Sequence, residues 1–156
     1  MRMARIGVFI LLLSGVAVGA SDFLTEGVDN ARTGWVRDEK IFTKANVGSM
    51  KLLWKIKLDS TSRAMHNLFA PLVAERVTTA QGARELAVVA GVSDDMFGID
   101  VATGKQIWHR RFDSTLAKPG GTNDTLCPGG QTAVPTMAQV SPGKYTVYAV
   151  SWDGRL

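Results

Sequence analysis

The feature that most constrains this chain is an internal repeat. Residues 51–61, KLLWKIKLDST, match residues 105–115, KQIWHRRFDST, at an offset of 54 throughout. Lys, Trp, Asp, Ser and Thr are identical at matched places. Leu53 with Ile107 and Leu58 with Phe112 stay apolar, and Lys57 with Arg111 stays basic. A second echo aligns residues 88–97 with 147–156 at an offset of 59, and a third aligns residues 70–73 with 134–137 at 64. The larger offset predicts a longer loop in the first unit, at residues 75–84.

Within a unit, the pattern is that of short strands and tight turns. Residues 86–90 form an apolar run of strand length, too short for a free-standing helix. Ser93, Asp94 and Asp95 make a turn cluster, and residues 96–99 begin the return strand. In the next turn, Asp100 to Lys105, the Asp side chain can bond backbone amides further along. Gly104 can take the positive φ that closes a hairpin. Residues 106–112 are the last strand. Residues 50–59 read as a matching strand, with Trp54, Ile56 and Leu58 on one face and Lys55 and Lys57 on the other. Upstream, residues 43–48 fit one helical turn capped by Thr43 and stopped near Gly48.

Each unit is therefore strand, loop, strand, turn, strand, turn, Trp-strand. Four-stranded sheets recurring every ~40 to 50 residues point to a β-propeller. One such sheet cannot cover its own apolar faces, so neighbours stack on it, with Trp54 and Trp108 as structural fillers between them. Lysines on an outermost strand resist edge-to-edge pairing. The expected fold is all-β, an incomplete β-propeller. It comprises about one full four-stranded antiparallel blade, part of a second, and one strand of the ring-closing blade, after an N-terminal signal helix. The alternative is a two-repeat β-sandwich. Rings need at least ~4 blades, and at Leu156 the second unit has just entered its third strand, so a truncated chain is expected.

The first twenty residues have the layout of a secretory signal. Arg2 and Arg5 precede an apolar run at residues 6–18, and Val18, Gly19 and Ala20 form a small-residue cleavage site. The run is shorter than the ~20 residues of a membrane span. An uncleaved anchor is the alternative. No cysteine follows the run, so a lipoprotein is not indicated. The domain plan is a signal peptide at 1–20, a polar irregular segment at 21–50 and repeats at 51–156. The expected product is periplasmic or secreted, with no stable membrane span after cleavage.

Composition limits the chemistry. After removal of the signal, sixteen cations face fourteen carboxylates, which is no electrostatic footprint for nucleic acid, and the basic residues do not cluster with aromatics. The single cysteine, Cys127, cannot form an intramolecular disulfide and excludes CxxC frames. With only His66 and His109, the chain cannot build a His-rich metal site. Asp94 and Asp95 offer too few oxygens for a Ca²⁺ ion, which takes ~6 to 8, and read as a hairpin turn. Trp152 and Asp153 also read as a turn rather than a WD repeat. Cys127 and His66 are weak candidates for lining a cofactor pocket; a small residue in a Pro-Gly-Gly turn and a surface histidine are the plainer readings.

The run from Asp100 through Thr103, Gly104 and Lys105 to Trp108 resembles the repeat motif of quinoprotein propellers, the pyrroloquinoline quinone (PQQ) dehydrogenase superfamily. That pattern is A-x-D-x-x-T-G-K-x-x-W, with Gly98 here where Ala is usual. The stretch from Asn30 to Trp35, followed by Asn46, Val47 and Trp54, resembles the opening of such proteins. There the N-terminus supplies the outer strand onto which the last blade closes. The resemblance covers about residues 30–156 and implies the fold more strongly than catalysis.

For function, the resemblance implies PQQ on the propeller axis over a Ca²⁺ ion, with an Asp as base in alcohol oxidation, the protein orienting the quinone. Most of those ligands belong to later blades. Many members set adjacent cysteines over the quinone; here residues 127–130, CPGG, carry one. Several use a glutamate near the first inner strand; here residues 65–71, MHNLFAP, hold no acid. The expectation is the N-terminal part of an exported PQQ-dependent alcohol or sugar oxidoreductase, inactive as this piece, with the remaining blades as its partners. The alternatives are a non-catalytic propeller scaffold binding proteins or envelope components, and a truncation product without function.

Overall fold

The computed structural model describes residues 22–37, 39–60, 68–91, 93–113 and 133–156. The expected signal at 1–20, His66 and Cys127 lie outside the described residues. Strands β1 (Leu72–Thr79), β2 (Gly82–Gly91), β3 (Asp95–Asp100) and β4 (Gln106–Arg111) form an antiparallel sheet in that order. Strands β5 (Thr136–Ser141) and β6 (Lys144–Tyr148) form a second, two-stranded sheet. The helical content among the described residues is a 3-10 turn at Val47–Ser49. The molecule is all-β, and the described strands do not close into a barrel or a ring. None of its helices is long and apolar enough to cross a membrane, among the described residues.

The first sheet is apolar on both faces, which explains the unbroken run Leu86 to Ala90 at its centre. Pairing places Val88 opposite Gly98 and Gly98 opposite Trp108, so these three share a face. Leu72, Ala74, Leu86, Val88, Ala90 and Met96 build a core on that side with Met137 of β5. On the other side Ala87, Phe97 and Ile99 are covered by Trp54, Ile56 and Leu58. The sheet is the middle of three layers. Phe97 is wholly buried, a burial that contributes ~1.5–3 kcal/mol.

The N-terminal residues tie the layers together. Phe23 exchanges two backbone hydrogen bonds of 2.8 Å with Val73 on the outer edge of β1, and the Leu24 carbonyl accepts the Met137 amide of β5 at 2.7 Å. The Thr78 amide donates to the carbonyl of Gly143, in the β5–β6 turn, at 2.8 Å.

Several sequence expectations need correction. Residues 51–60 hold no ladder; they are extended and lie on the sheet by side chains alone, with the expected alternation of half-buried Trp54, Ile56 and Leu58 and exposed Lys55 and Lys57. A strand without a hydrogen-bonded neighbour is not a sheet member. The expected loop at 75–84 is strand: β1 and β2 run on as a two-stranded ribbon to the turn at 80–81. The helical turn begins at Thr43 as expected, and the Thr43 carbonyl accepts the Asn46 and Val47 amides at 3.2 and 3.0 Å. It runs on, however, into the 3-10 residues Val47–Ser49, and the side chain that bonds the start of the turn is Asn46, whose Oδ1 accepts the Thr43 amide at 2.7 Å. Residues 155–156 carry no strand.

The repeat alignment also shifts by one. Ser93 Oγ donates to Asp95 Oδ2 at 2.8 Å, and Ser151 Oγ donates to Asp153 Oδ1 at 2.6 Å. The offset of these Ser-x-Asp turns is 58, not 59, and it also brings Val92 into line with Val150.

Gly98 has a packing reason. A Cβ there would lie 2.1 Å from Trp108 Nε1, so the indole occupies the space an alanine methyl would take. At Gly104 two constraints coincide: φ is +68°, and a Cβ would lie 2.5 Å from Trp54 Cδ2. Gly104→Ala should therefore cost ~1–2 kcal/mol for the left-handed backbone and a further ~1–3 kcal/mol for overpacking. Urea unfolding of a double-mutant cycle with Trp54→Ala checks it. The second part should vanish in the Trp54→Ala background; an unchanged cost would place Trp54 away from the turn.

Candidate functional site

The densest polar chemistry among the described residues lies at the β2–β3 turn. Ser93, Asp94 and Asp95 are all buried, the two aspartates completely. Antiparallel pairing sets Asp95 opposite Arg111 and Phe97 opposite His109. Arg111 Nε donates to Asp95 Oδ1 at 2.8 Å, and His109 Nε2 lies 2.7 Å from the same oxygen. Asp95 Oδ2 accepts from Ser93 Oγ at 2.8 Å, and Ser93 Oγ lies 2.6 Å from Ser60 Oγ. The His109 ring stacks on Phe97 with centroids 4.5 Å apart. The relay from Ser60 through Ser93 to Asp95 therefore joins the extended segment to the sheet.

Burial pushes the Asp95 carboxyl up, and the hydrogen bonds from Arg111, His109 and Ser93 outweigh it, so the group sits below the ordinary aspartate value. A carboxylate held this way is a poor base, because every oxygen already accepts a hydrogen bond. Among the described residues neither serine of the relay hydrogen-bonds a histidine, so these residues show no nucleophile–base pair. The cluster works as a latch between turn, Trp-strand and extended segment. Asp94 accepts the Trp152 amide at 3.1 Å, and its own carbonyl accepts the Phe112 amide at 2.9 Å. It links the two Ser-x-Asp turns.

Of the residues singled out from the sequence, Asp100, Thr103, Gly104, Lys105 and Trp54 gather at the opposite end of β3, while Trp108 lies mid-strand opposite Gly98 and packs on the other face. Asp100 Oδ1 accepts both the Thr103 amide and the Thr103 hydroxyl at 2.9 Å, and the Gly104 amide donates to the Asp100 carbonyl at 2.8 Å. Arg84 Nη1 bonds Asp100 Oδ2 at 2.7 Å. The Thr103 hydroxyl, with Arg84 in support, holds the Asp100 carboxyl below its ordinary value. Lys105 is exposed beyond the turn. Trp54 Nε1 donates to the Val101 carbonyl at 2.7 Å, which fastens the extended segment over this turn. These residues form a second latch rather than a reaction centre.

Between the extended segment and the sheet runs a cleft of about 420 Å³, walled by Trp54, Ile56, Leu58, Ala87, Val89 and Ile99. Ser60 and Lys57 are its polar neighbours. Such a lining suits packing against another apolar surface more than a sugar or an alcohol.

A quinone over Ca²⁺ does not fit what these residues offer. Among the described residues no three His, Cys, Asp or Glu are placed to hold a metal ion. The Asp95 oxygens are taken by Arg111, His109 and Ser93.

Sequence reading passed over Ser93, Asp95, His109 and Arg111 as a working set. The available signal was the repeated Val-Ser-x-Asp, at residues 92–95 and 150–153, hidden by the alignment one residue out of step. Comparison with family models, with curated proteins and with solved structures finds no match for this chain.

Asp95→Asn should cost ~1–3 kcal/mol at neutral pH, the loss of charge-assisted hydrogen bonds. The moderate figure reflects Arg111, which is half exposed and can rehydrate. Because the folded-state value is depressed, the stabilisation is complete above the unfolded aspartate value of ~3.9 and is lost as pH falls through the lower folded value. Chemical unfolding of both proteins from neutral pH to about pH 2 should show a constant gap that closes only under acid. A gap unchanged at the acid end would remove Asp95 as its source.

Proposed function

We propose that this chain is the N-terminal part of an exported propeller of the quinoprotein repeat type, and that the whole is a PQQ-dependent alcohol or sugar oxidoreductase. One observation carries the architectural half. The four-stranded sheet lies between two segments that repeat its own parts: the Trp54 segment echoes β4, and the β5–β6 hairpin echoes the β1–β2 hairpin. Stacked copies in chain order support radial repetition. They argue against a two-layer sandwich, in which each sheet has one covered face.

The chemical half rests on the resemblance of the Asp100-to-Trp108 turn and strand. In this reading residues 51–156 supply scaffold: the Asp100 and Asp95 latches fix the blade, and Trp54 and Trp108 space it from its neighbours. When bound, the quinone would accept the electrons of alcohol oxidation; residues of other repeats would hold it and its Ca²⁺. A second reading, a non-catalytic propeller scaffold, draws on two departures from the enzyme pattern. Cys127 stands alone, and residues 65–71 contain no acid.

Two measurements test this. The DNA beyond codon 156 should continue in frame through further Asp-x-x-Thr-Gly-Lys-x-x-Trp repeats; a lack of them ends the ring reading. The product carrying them should reduce an artificial electron-accepting dye with alcohol only after loading with PQQ and Ca²⁺, while residues 1–156 should show no turnover under the same conditions. A full-length product that folds and never binds PQQ would decide for the scaffold.

A further inference from the structure

Residues 32–57 concentrate charge and exposed apolar surface in one stretch. Seven cations stand there against two carboxylates, while the remainder of the chain has eleven cations against twelve carboxylates. The whole positive excess of the protein is therefore local. All seven cations, Arg32, Arg37, Lys40, Lys44, Lys51, Lys55 and Lys57, are exposed. Two exposed aromatics, Trp35 and Phe42, lie among them, while Trp54 is turned onto the sheet.

The same stretch exposes large apolar side chains that a free surface disfavours. Leu52 and Leu53 are 82% and 86% exposed, Met50 62% and Trp35 61%, with Ile41, Phe42 and Val47 about half exposed. The segment contributes nothing buried through its 3-10 turn. Its own hydrogen bonds nevertheless give it shape. Asn46 Nδ2 donates to the Ile41 carbonyl and Ser49 Oγ to the Asn46 carbonyl, both at 2.7 Å. Glu39 turns its carboxylate back onto the amides of Phe42 and Ile41.

We propose that residues 32–57 form a docking surface for an anionic lipid bilayer. Cations interleaved with aliphatic and aromatic groups match the interface between phosphate headgroups and acyl chains. There each Lys or Arg is attracted by the surface potential and each apolar group leaves water. Trp35 with Arg37 over its ring, 5.0 Å from the centroid, is the amphipathic pair that the headgroup layer favours. A nucleic acid would use the cations and the aromatics, but gives Ile41, Val47, Met50, Leu52 and Leu53 nothing to bury against. The proposal does not depend on the quinone; in a closed ring the blade completed by residues 51–57 would cover Leu52 and Leu53, and residues 32–50 would carry the contact.

The test is flotation of the full chain with vesicles of phosphatidylglycerol or of phosphatidylcholine, with duplex DNA as a parallel ligand. The wild type should partition strongly onto phosphatidylglycerol, weakly onto phosphatidylcholine, and release as ionic strength rises. A triple variant, Lys40→Gln, Lys44→Gln and Lys51→Gln, should lose about 100-fold in partitioning. The pair Leu52→Ser with Leu53→Ser should lose about tenfold or more. The same proteins are also tested beginning at Ser21, without the apolar run at residues 6–18 that would itself enter a bilayer, and the lipid preference and the losses in the variants should persist. All substituted side chains are exposed, and circular dichroism checks that the fold survives. Equal binding to both lipids, binding unchanged in the triple variant, or binding to DNA but to neither vesicle would each overturn the proposal.

Discussion

The structure depends on a pair of central strands, β2 and β3, that have no solvent-facing side where they pair. Strand β3 is buried along its whole length, and β2 is apolar from Leu86 through Ala90. A four-stranded sheet with Val88 and Met96 on one face and Phe97 and Ile99 on the other is insoluble as a single layer. Cover must come from both sides. Here the β5–β6 hairpin covers one face and the Trp54 segment the other. The two covers differ in quality. The hairpin arrives as hydrogen-bonded sheet, while the Trp54 segment is held by side chains, one indole hydrogen bond and the Ser60 hydroxyl.

Buried charge fixes how the middle layer sits. Each end of β3 is an aspartate, and each aspartate meets an arginine from a neighbouring strand: Asp95 with Arg111 of β4, Asp100 with Arg84 of β2. Burying a carboxylate is costly unless charge and hydrogen bonds surround it. A slip of one residue in either pairing would separate carboxylate from guanidinium and leave the charge uncompensated. The apolar pattern alone would resist such a slip, and the ion pairs add specificity at both ends. Asp153 and Arg155 repeat the arrangement locally, 2.8 Å apart.

Much of this was legible in the sequence, because strand alternation and turn chemistry are local. The face shared by Trp54, Ile56 and Leu58, the turn made by Asp100, Thr103 and Gly104, and the all-β class follow from spacing and from side chains that bond their own backbone. Two things were not legible. Whether residues 51–60 join a ladder depends on a neighbour that local pattern does not encode. The Asp95 cluster draws Ser60, Ser93, His109 and Arg111 from three separate stretches, and only register brings them together. The whole-chain charge was equally uninformative, since near-neutrality elsewhere hid the excess at residues 32–57.

The extra residues at 75–84 show how the repeat tolerates variation. They extend β1 and β2 past the point where β2 leaves β3, since pairing with β3 stops at Leu86 and Asp100 while pairing with β1 continues to Gly82. Growth in antiparallel pairs adds ladder bonds for each residue ordered and keeps the covered part of the sheet untouched. One residue is out of count: the step from Ala74 to Val77 on β1 faces the step from Leu86 to Arg84 on β2. That bulge lets the ribbon twist away from the core, where Thr78 can meet the shorter hairpin's turn at Gly143. Gly143 has φ +73°, and a Cβ there would lie 2.2 Å from Thr78 Oγ1, so backbone conformation and close approach together favour glycine. The unequal offsets of the repeat therefore record a change in hairpin length at the rim, while the part that must be covered on both faces stays the same size.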